Sequence, residues 1–193
     1  MKIIFATNNK NKVEEIKHLS HKNFQILTLQ EAGIDIDIPE PHDTLEANAT
    51  EKSSTIYTIT NEAVFSEDTG LEVDALGGAP GVKSARYAGE GRNMQDNIDK
   101  LLQELKDKTT RAAQFRTVVS LIIAGKEYQF QGICKGHITN EMAGTNGFGY
   151  DPVFIPEGSN TTFANMDIAE KNKFSHRKKA VQQLIDFLNE YQA

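Results

Sequence analysis

A chain of 193 residues, 38% hydrophobic and 25% charged, can bury about 70% of the surface its unfolded form exposes and reads as one folded domain spanning residues 1–193. Its formal net charge of −6 excludes a protein that coats nucleic acid polymers, since that work needs an extended basic face. The single cysteine, Cys134, excludes an internal disulfide and a multi-cysteine zinc site, and the apolar run Ile3 to Ala6 is too short for a signal-peptide core or a membrane span, so a cytoplasmic location is expected.

Lys2 to Ala6 predicts a short buried strand, Thr7-Asn8-Asn9-Lys10 a polar turn, and Val13, Ile16 and Leu19 one face of a helix. Strand, turn, helix is an anion-binding arrangement, because a helix N-terminus presents unpaired N–H groups and the positive end of its dipole, here with Asn9 and Lys12 at hand. No glycine-rich loop accompanies it, so no phosphate-loop or dinucleotide fingerprint is present. Taken alone, the segment reads as asparagines capping a helix and lysines in solvent. Phe24 to Leu29 predicts a second strand, and Asp43-Thr44-Leu45-Glu46 resembles a capping box opening a helix that runs to about Ile59. Ala63 to Ser66 predicts a third strand, with the adjacent acids Glu67 and Asp68 at its exit, before Thr69-Gly70. Acids at that end of a strand face the crevice where open α/β sheets bind ligands, and a pair of them suits a metal or a water.

Val73 to Gly81, with Gly77, Gly78, Pro80 and Gly81, predicts a tight loop, and Asn97, Ile98, Leu101, Leu102 and Leu105 mark an amphipathic helix. Arg111 to Ala124 and Glu127 to Thr139 are β-prone runs that predict a long hairpin around Gly125-Lys126, with Cys134 as a buried apolar filler. Gly144 to Pro152 is a glycine-rich turn carrying Phe148 and Asp151, a composition that lets backbone approach a ligand closely. Val181, Leu184, Ile185 and Leu188 line one face of a last helix, with Ser175 as its N-cap and His176 and Arg177 in its first turn. Basic residues gather in two compact spots, Lys10 with Lys12 and Lys171 to Lys179, a pattern that fits a small anionic ligand better than a polymer.

Each of these features has a bland reading of its own: Glu67-Asp68 as a solvated strand end, Lys52 as a helix-surface charge, His176 as an exposed side chain. Their number shifts the balance. Three separate loop or helix-start positions carry the groups that a magnesium-bound phosphate ester requires, and a fourth supplies an aromatic platform and an acid.

Four long motifs, in order, tie these positions together: TNNKNK at Thr7 to Lys12, SEDTGLEVDALGGAPGVKSARYAG at Ser66 to Gly89, GTNGFGYDP at Gly144 to Pro152, and EKNKFSHR at Glu170 to Arg177. Through them the chain resembles the inosine triphosphate pyrophosphatase family, from about Lys2 to Leu188. The resemblance implies an α/β fold with an elongated mixed central sheet flanked by helices, two lobes with an active-site cleft between them, and a homodimer. It implies hydrolysis of deaminated purine nucleoside triphosphates (dITP, ITP, XTP) to the monophosphate and pyrophosphate, with Mg2+ as cofactor. By the same resemblance Thr7, Asn9 and Lys12 contact the triphosphate, Lys52 and Lys171 add charge, and Glu40 and Asp68 bind magnesium, Asp68 also serving as the base that orients water. Phe148 stacks on the purine, and Asp151, Ser175, His176 and Arg177 read its edge. Asn8, Thr69, Gly149 and Tyr150 complete the implied substrate-binding set. The chain departs from the family pattern at Ala47, where many relatives have Glu, at Asn165, where Glu is usual, and at Thr69, which replaces a frequent Ser and keeps its hydroxyl.

The chemistry agrees with elementary electrostatics. A triphosphate repels an incoming water unless cations offset its charge, and the same cations stabilise charge growing on the leaving pyrophosphate. Hypoxanthine and xanthine present a 6-oxo acceptor and an N1–H donor where adenine presents the opposite pattern, so fixed partners suited to the first leave the second unsatisfied. Two other readings stay open on sequence grounds: a pyrophosphatase for modified pyrimidine nucleotides, and a nucleotide-binding regulator without turnover.

Overall fold

Apolar and β-prone runs broken by polar turns give strands interspersed with helices, and that is what the computed structural model contains, with strands from 2 to 13 residues long. It describes residues 1–17 and 24–191. Among these the order is β1 (Lys2–Phe5), α1 (Lys10–Lys17), β2 (Gln25–Thr28), α2 (Leu45–Thr60), β3 (Val64–Val73), β4 (Pro80–Gly81), α3 (Met94–Glu104), β5 (Ala112–Ile123), β6 (Lys126–Ile138), β7 (Phe154–Pro156), α4 (Ile168–Lys171) and α5 (His176–Glu190). Of the expected face of α1, Val13 and Ile16 fall in the helix, and Leu19 lies outside the described residues.

The sheet is mixed, in the order β2-β1-β3-β5-β6-β7, with β4 paired to β3. β1 runs parallel to β2, with Lys2 opposite Gln25 and Phe5 opposite Thr28, and parallel to β3, with Ile4 opposite Val64. β4 lies antiparallel to β3 and β7 antiparallel to β6. The chain forms two compact units: Met1–Asp68, Thr117–Gly132 and Arg177–Ala193 make the first, Thr69–Arg116 and Ile133–His176 the second.

In the first unit both faces of β1 are covered. Ile3 and Phe5 pack with Phe65, Val119, Leu121, Ile16 of α1 and Val181, Leu184, Ile185 and Leu188 of α5, whereas Ile4 and Ala6 pack with Leu29, Val64 and Ile56 of α2. Two-sided burial explains why the strand reads as an unbroken apolar run and not as an alternation. The rings of Phe5 and Phe65 stack with centroids 4.5 Å apart. The second unit has its own core of Leu71, Val73, Phe115, Cys134, Phe154 and Phe163 with Ile98, Leu101 and Leu105. Cys134 is the buried filler that its strand position implied.

α2 owes little to intrinsic propensity. Six of its sixteen residues are β-branched, and Ser53, Ser54, Thr58 and Thr60 each donate a side-chain hydrogen bond to a carbonyl three or four residues earlier, an arrangement that is mildly unfavourable inside a helix. Its start also differs in register from the expected capping box. Thr44 is the cap, accepting from the Ala47 N–H at 3.2 Å. The reciprocal carboxylate belongs at the position Ala47 fills, so the box is half made.

Two further expectations are corrected. β3 does not end at Ser66; it continues to Val73, so Glu67 and Asp68 sit inside a strand and not at its exit. The continuation is held by β4, with Leu71 opposite Gly81 and Glu72 opposite Pro80, and by alternate burial of Leu71 and Val73. The expected loop from Val73 thus includes a two-residue strand as well as a 3-10 turn at Asp74–Leu76. The hairpin turn is Ala124-Gly125, both at positive φ (48° and 74°), with Lys126 already in β6. This is the backbone that two-residue hairpin turns require.

Gly70 is fixed by the β3–β4 pairing: a Cβ there would lie 2.6 Å from the Gly81 carbonyl oxygen. Gly70→Ala is expected to destabilise the protein by about 1–3 kcal/mol through this overpacking, measured as a lower urea midpoint.

Candidate active site

A carboxylate in the middle of a buried strand must be paired, because an isolated buried charge costs several kcal/mol on the order of a whole domain's net stability. Glu67 and Asp68 are 1% and 6% exposed, and in the first unit three helices bring them cations. From α2, Lys52 extends Nζ to Glu40 Oε1 at 2.5 Å and to Asp68 Oδ1 at 3.6 Å. From α1, Lys12 Nζ lies 3.1 Å from Glu67 Oε1. From α5, Arg177 donates Nε to the same oxygen at 3.1 Å and pairs its other arm with Glu15 of α1. Asn48 of α2 donates Nδ2 to Asp68 Oδ2 at 3.3 Å.

Burial pushes the Asp68 carboxyl above its ordinary range, more than Lys52 and Lys12 pull it down, and Glu40 adds to the rise. Burial acts to lower the Lys52 ammonium, but Asp68 and Glu40 outweigh it and the net shift is upward. The Arg177 guanidinium follows the same balance, with Glu67 and Glu15 overriding burial. Four carboxylates (Glu15, Glu40, Glu67, Asp68) meet three cations (Lys12, Lys52, Arg177), leaving one net negative charge among them.

That surplus, with two carboxylates converging on one ammonium, fits magnesium. The ion takes oxygen ligands, is commonly held by one or two carboxylates, and completes its shell with water and substrate phosphates. Among the described residues no group of three or more His, Cys, Asp or Glu side chains gathers as an all-protein metal cage.

At the start of α1 the helix is capped from within. Asn9 Oδ1 accepts from the N–H groups of Asn11 and Lys12 at 3.0 and 3.2 Å, Thr7 Oγ1 accepts from Asn9 N–H, and Asn8 donates to the Ile36 carbonyl. The capping reading holds for Asn9 and not for Asn8, and the solvated reading of Lys12 gives way to its ion pair with Glu67.

The second unit assembles a different group. Lys171, 6% exposed, donates to Asp151 Oδ2 at 2.7 Å and sits 5.3 Å from the centroids of both Phe148 and Phe163. Asp151 Oδ2 also accepts from the Phe148 N–H at 2.9 Å. Gly147, at φ 74°, makes room for this, since a Cβ there would meet Asp151 Oδ2 at 2.0 Å. His176, buried, stacks on Phe115 at 4.7 Å. Ser175 directly precedes α5, its N–H bonded to the Lys171 carbonyl. Gly149 turns the chain at φ 62°, and Thr69 is half-buried in β3. Tyr150 belongs to the unit's core, its hydroxyl donating to the Ser84 carbonyl.

Glu40, Lys52 and Asp68 are therefore brought together, as are Phe148, Asp151 and Lys171. Lys171 keeps company with two aromatic rings and an acid of its own unit. Lys52 and His176 are buried, against their bland surface readings. Sequence reasoning passed over Asn48, Glu15, Phe115 and Phe163. Asn48 had a signal: it stands four residues before Lys52, on the same face of α2. The other three are brought in by tertiary packing alone.

A model of the Ham1 family matches residues 3–187. The chain is 51% identical over 188 residues to the dITP/XTP pyrophosphatase of Flavobacterium johnsoniae, covering 97% of this chain and 98% of that protein. It is 49% identical to the dITP/XTP pyrophosphatase of Porphyromonas gingivalis, covering 97% of each. Among solved structures, the Staphylococcus aureus Ham1 protein superposes with a TM-score of 0.90 at 37% identity over 100% of both chains. The nucleoside-triphosphatase / dITP/XTP pyrophosphatase of Mycobacterium abscessus gives 0.78 at 35% identity, covering 96% of this chain and 99% of that one.

Lys52→Met would leave Glu40 and Asp68 without their shared cation, a loss of about 3–5 kcal/mol for a buried pair. Because the Lys52 pKa is raised, its stabilisation is complete below the ordinary lysine value and fades only as pH climbs through the raised one. The difference in unfolding free energy between wild type and variant is expected to be equal at about pH 7 and about pH 9, then to shrink in stronger alkali.

Proposed function

The chain belongs to the Ham1 family, and on that premise we propose that it hydrolyses dITP, ITP and XTP to the nucleoside monophosphate and pyrophosphate, with magnesium held by Glu40 and Asp68. The observation that carries this reading is the buried Glu40–Lys52–Asp68 cluster in a chain half identical to named dITP/XTP pyrophosphatases.

When bound, magnesium supplies positive charge to the phosphate oxygens and helps lower the pKa of a nearby water. The remaining work falls to side chains. Asp68 takes the proton of a water that attacks the α-phosphorus; the bond from that phosphorus to the bridging oxygen breaks, and pyrophosphate leaves with the bonding pair. A carboxyl held above its ordinary range by burial is a better proton acceptor than a solvated one. Lys12 and Lys52 offset charge on the triphosphate, and Thr7, Asn8, Asn9 and Thr69 supply hydrogen bonds to it. A regulator that only binds nucleotide needs no such buried acid.

Base reading is assigned to the second unit's group. Phe148 offers its ring for stacking, and the Lys171 ammonium and Asp151 carboxylate at 2.7 Å form a donor–acceptor pair of the kind that a 6-oxo, N1–H edge matches and adenine does not. Gly149, Ser175, His176 and Arg177 complete the set that the family resemblance implies, Arg177 with its guanidinium also paired to Glu67 and Glu15. The homodimer implied by the family resemblance and the cytoplasmic location expected from the short apolar run Ile3 to Ala6 belong to this proposal; no described helix is long and apolar enough to cross a membrane.

Two outcomes are expected. Asp68→Asn retains dITP binding by calorimetry and loses turnover by about 10²–10⁴-fold; near-wild-type pyrophosphate release removes Asp68 from the mechanism. In a panel of dITP, XTP, GTP, ATP and a modified pyrimidine triphosphate, release is magnesium-dependent and kcat/KM favours dITP and XTP over ATP by about 10⁴. Equal turnover of ATP sinks the base-reading account.

A further inference from the structure

Asn48 has been given no role by the family motifs, yet it is 1% exposed and every polar atom of its side chain is used. Its Oδ1 accepts from the His42 N–H at 2.9 Å, and its Nδ2 donates to the His42 carbonyl at 3.1 Å. This reciprocal pair with one residue's backbone fixes which end of the amide is which, since exchanging oxygen and nitrogen would set donor against donor and acceptor against acceptor. The second hydrogen of Nδ2 is thereby directed at Asp68 Oδ2, 3.3 Å away. Asp68 Oδ1 faces Lys52, so the two oxygens of the carboxylate have different partners and the group is held against rotation about its own axis.

The same side chain governs the other acid. Glu40 lies two residues before His42, in a segment outside regular secondary structure, and the paired bonds to His42 anchor that segment to α2. We propose that Asn48 is a positioning residue for the pyrophosphatase reaction: it sets the separation of Glu40 and Asp68 by clamping the backbone that carries one and orienting the carboxylate of the other. The proposal rests on the functional reading above, in which those two acids form the metal-binding and proton-accepting pair. Residues that orient ligating carboxylates commonly matter about 10- to 100-fold in metal affinity or activity.

The test compares Asn48→Ala and Asn48→Asp with Ile56→Val, a core change one helix region further along α2. Asn48→Ala is expected to lower kcat for dITP by about 10- to 100-fold with KM changed by less than about threefold, and to raise the half-saturating magnesium concentration. Asn48→Asp keeps the acceptor for the His42 N–H, loses both donors and adds a like charge, so it is expected to be at least as impaired. Ile56→Val lowers the melting temperature and leaves kcat unchanged. A kcat for Asn48→Ala within about twofold of wild type, whatever its melting temperature, overturns the proposal. An independent reading comes from Mn2+ binding without nucleotide, followed by water-proton relaxation: Asn48→Ala is expected to bind at least about threefold more weakly than wild type. Equal affinity, or no binding to either protein, overturns it. A wild type that releases no pyrophosphate from dITP defeats the functional reading instead, and the Mn2+ comparison then decides the role of Asn48 alone.

Discussion

Everything in the first unit answers to the charge buried in the middle of β3. Glu67 and Asp68 have almost no access to water, and their lost hydration must be replaced by cations and hydrogen bonds with good geometry. Each surrounding helix contributes: Lys12 from α1, Lys52 and Asn48 from α2, Arg177 from α5. Apolar packing of Ile16, Ile56 and Val181 seats these helices on the sheet, and the ion pairs join them to the acids of β3. Apolar residues of similar shape would stabilise such positions as well or better. Retaining charge there is understandable if a hard cation and a polyanion are to be handled on the spot.

The second unit solves a different problem with aromatic surface. Lys171 is bracketed by Phe148 and Phe163 and held by Asp151, so a cation is presented beside a flat ring at little cost in side-chain freedom. The glycine before Phe148 matters here through what it lacks. Without a side chain at position 147, the Asp151 carboxylate can close under the turn and bond the Phe148 N–H, which fixes the ring's base.

Most elements were legible from sequence because their signals are local. The apolar run Ile3 to Ala6, the stripes of α3 and α5, and the hairpin each carry their pattern within a dozen residues. β3 was read as ending at Ser66, its third residue, because adjacent acids look like a strand's end when their partners are invisible; Arg177 stands 110 residues away. At α2, Asp43 and Thr44 are both acceptable caps, and only the absent carboxylate at Ala47 distinguishes the two registers. Of the acid cluster, Lys12, Glu67, Asp68 and Arg177 fall within the long motifs, whereas Glu40, Asn48 and Lys52 lie between them and are joined to the others only by the fold.

The composition of α2 carries a consequence for the newly made chain. A segment so rich in β-branched residues, with hydroxyls bonded back to its own carbonyls, is a marginal helix in water and takes its shape from the sheet it packs on. Lys52 and Asn48 therefore arrive beside Asp68 only when that sheet exists.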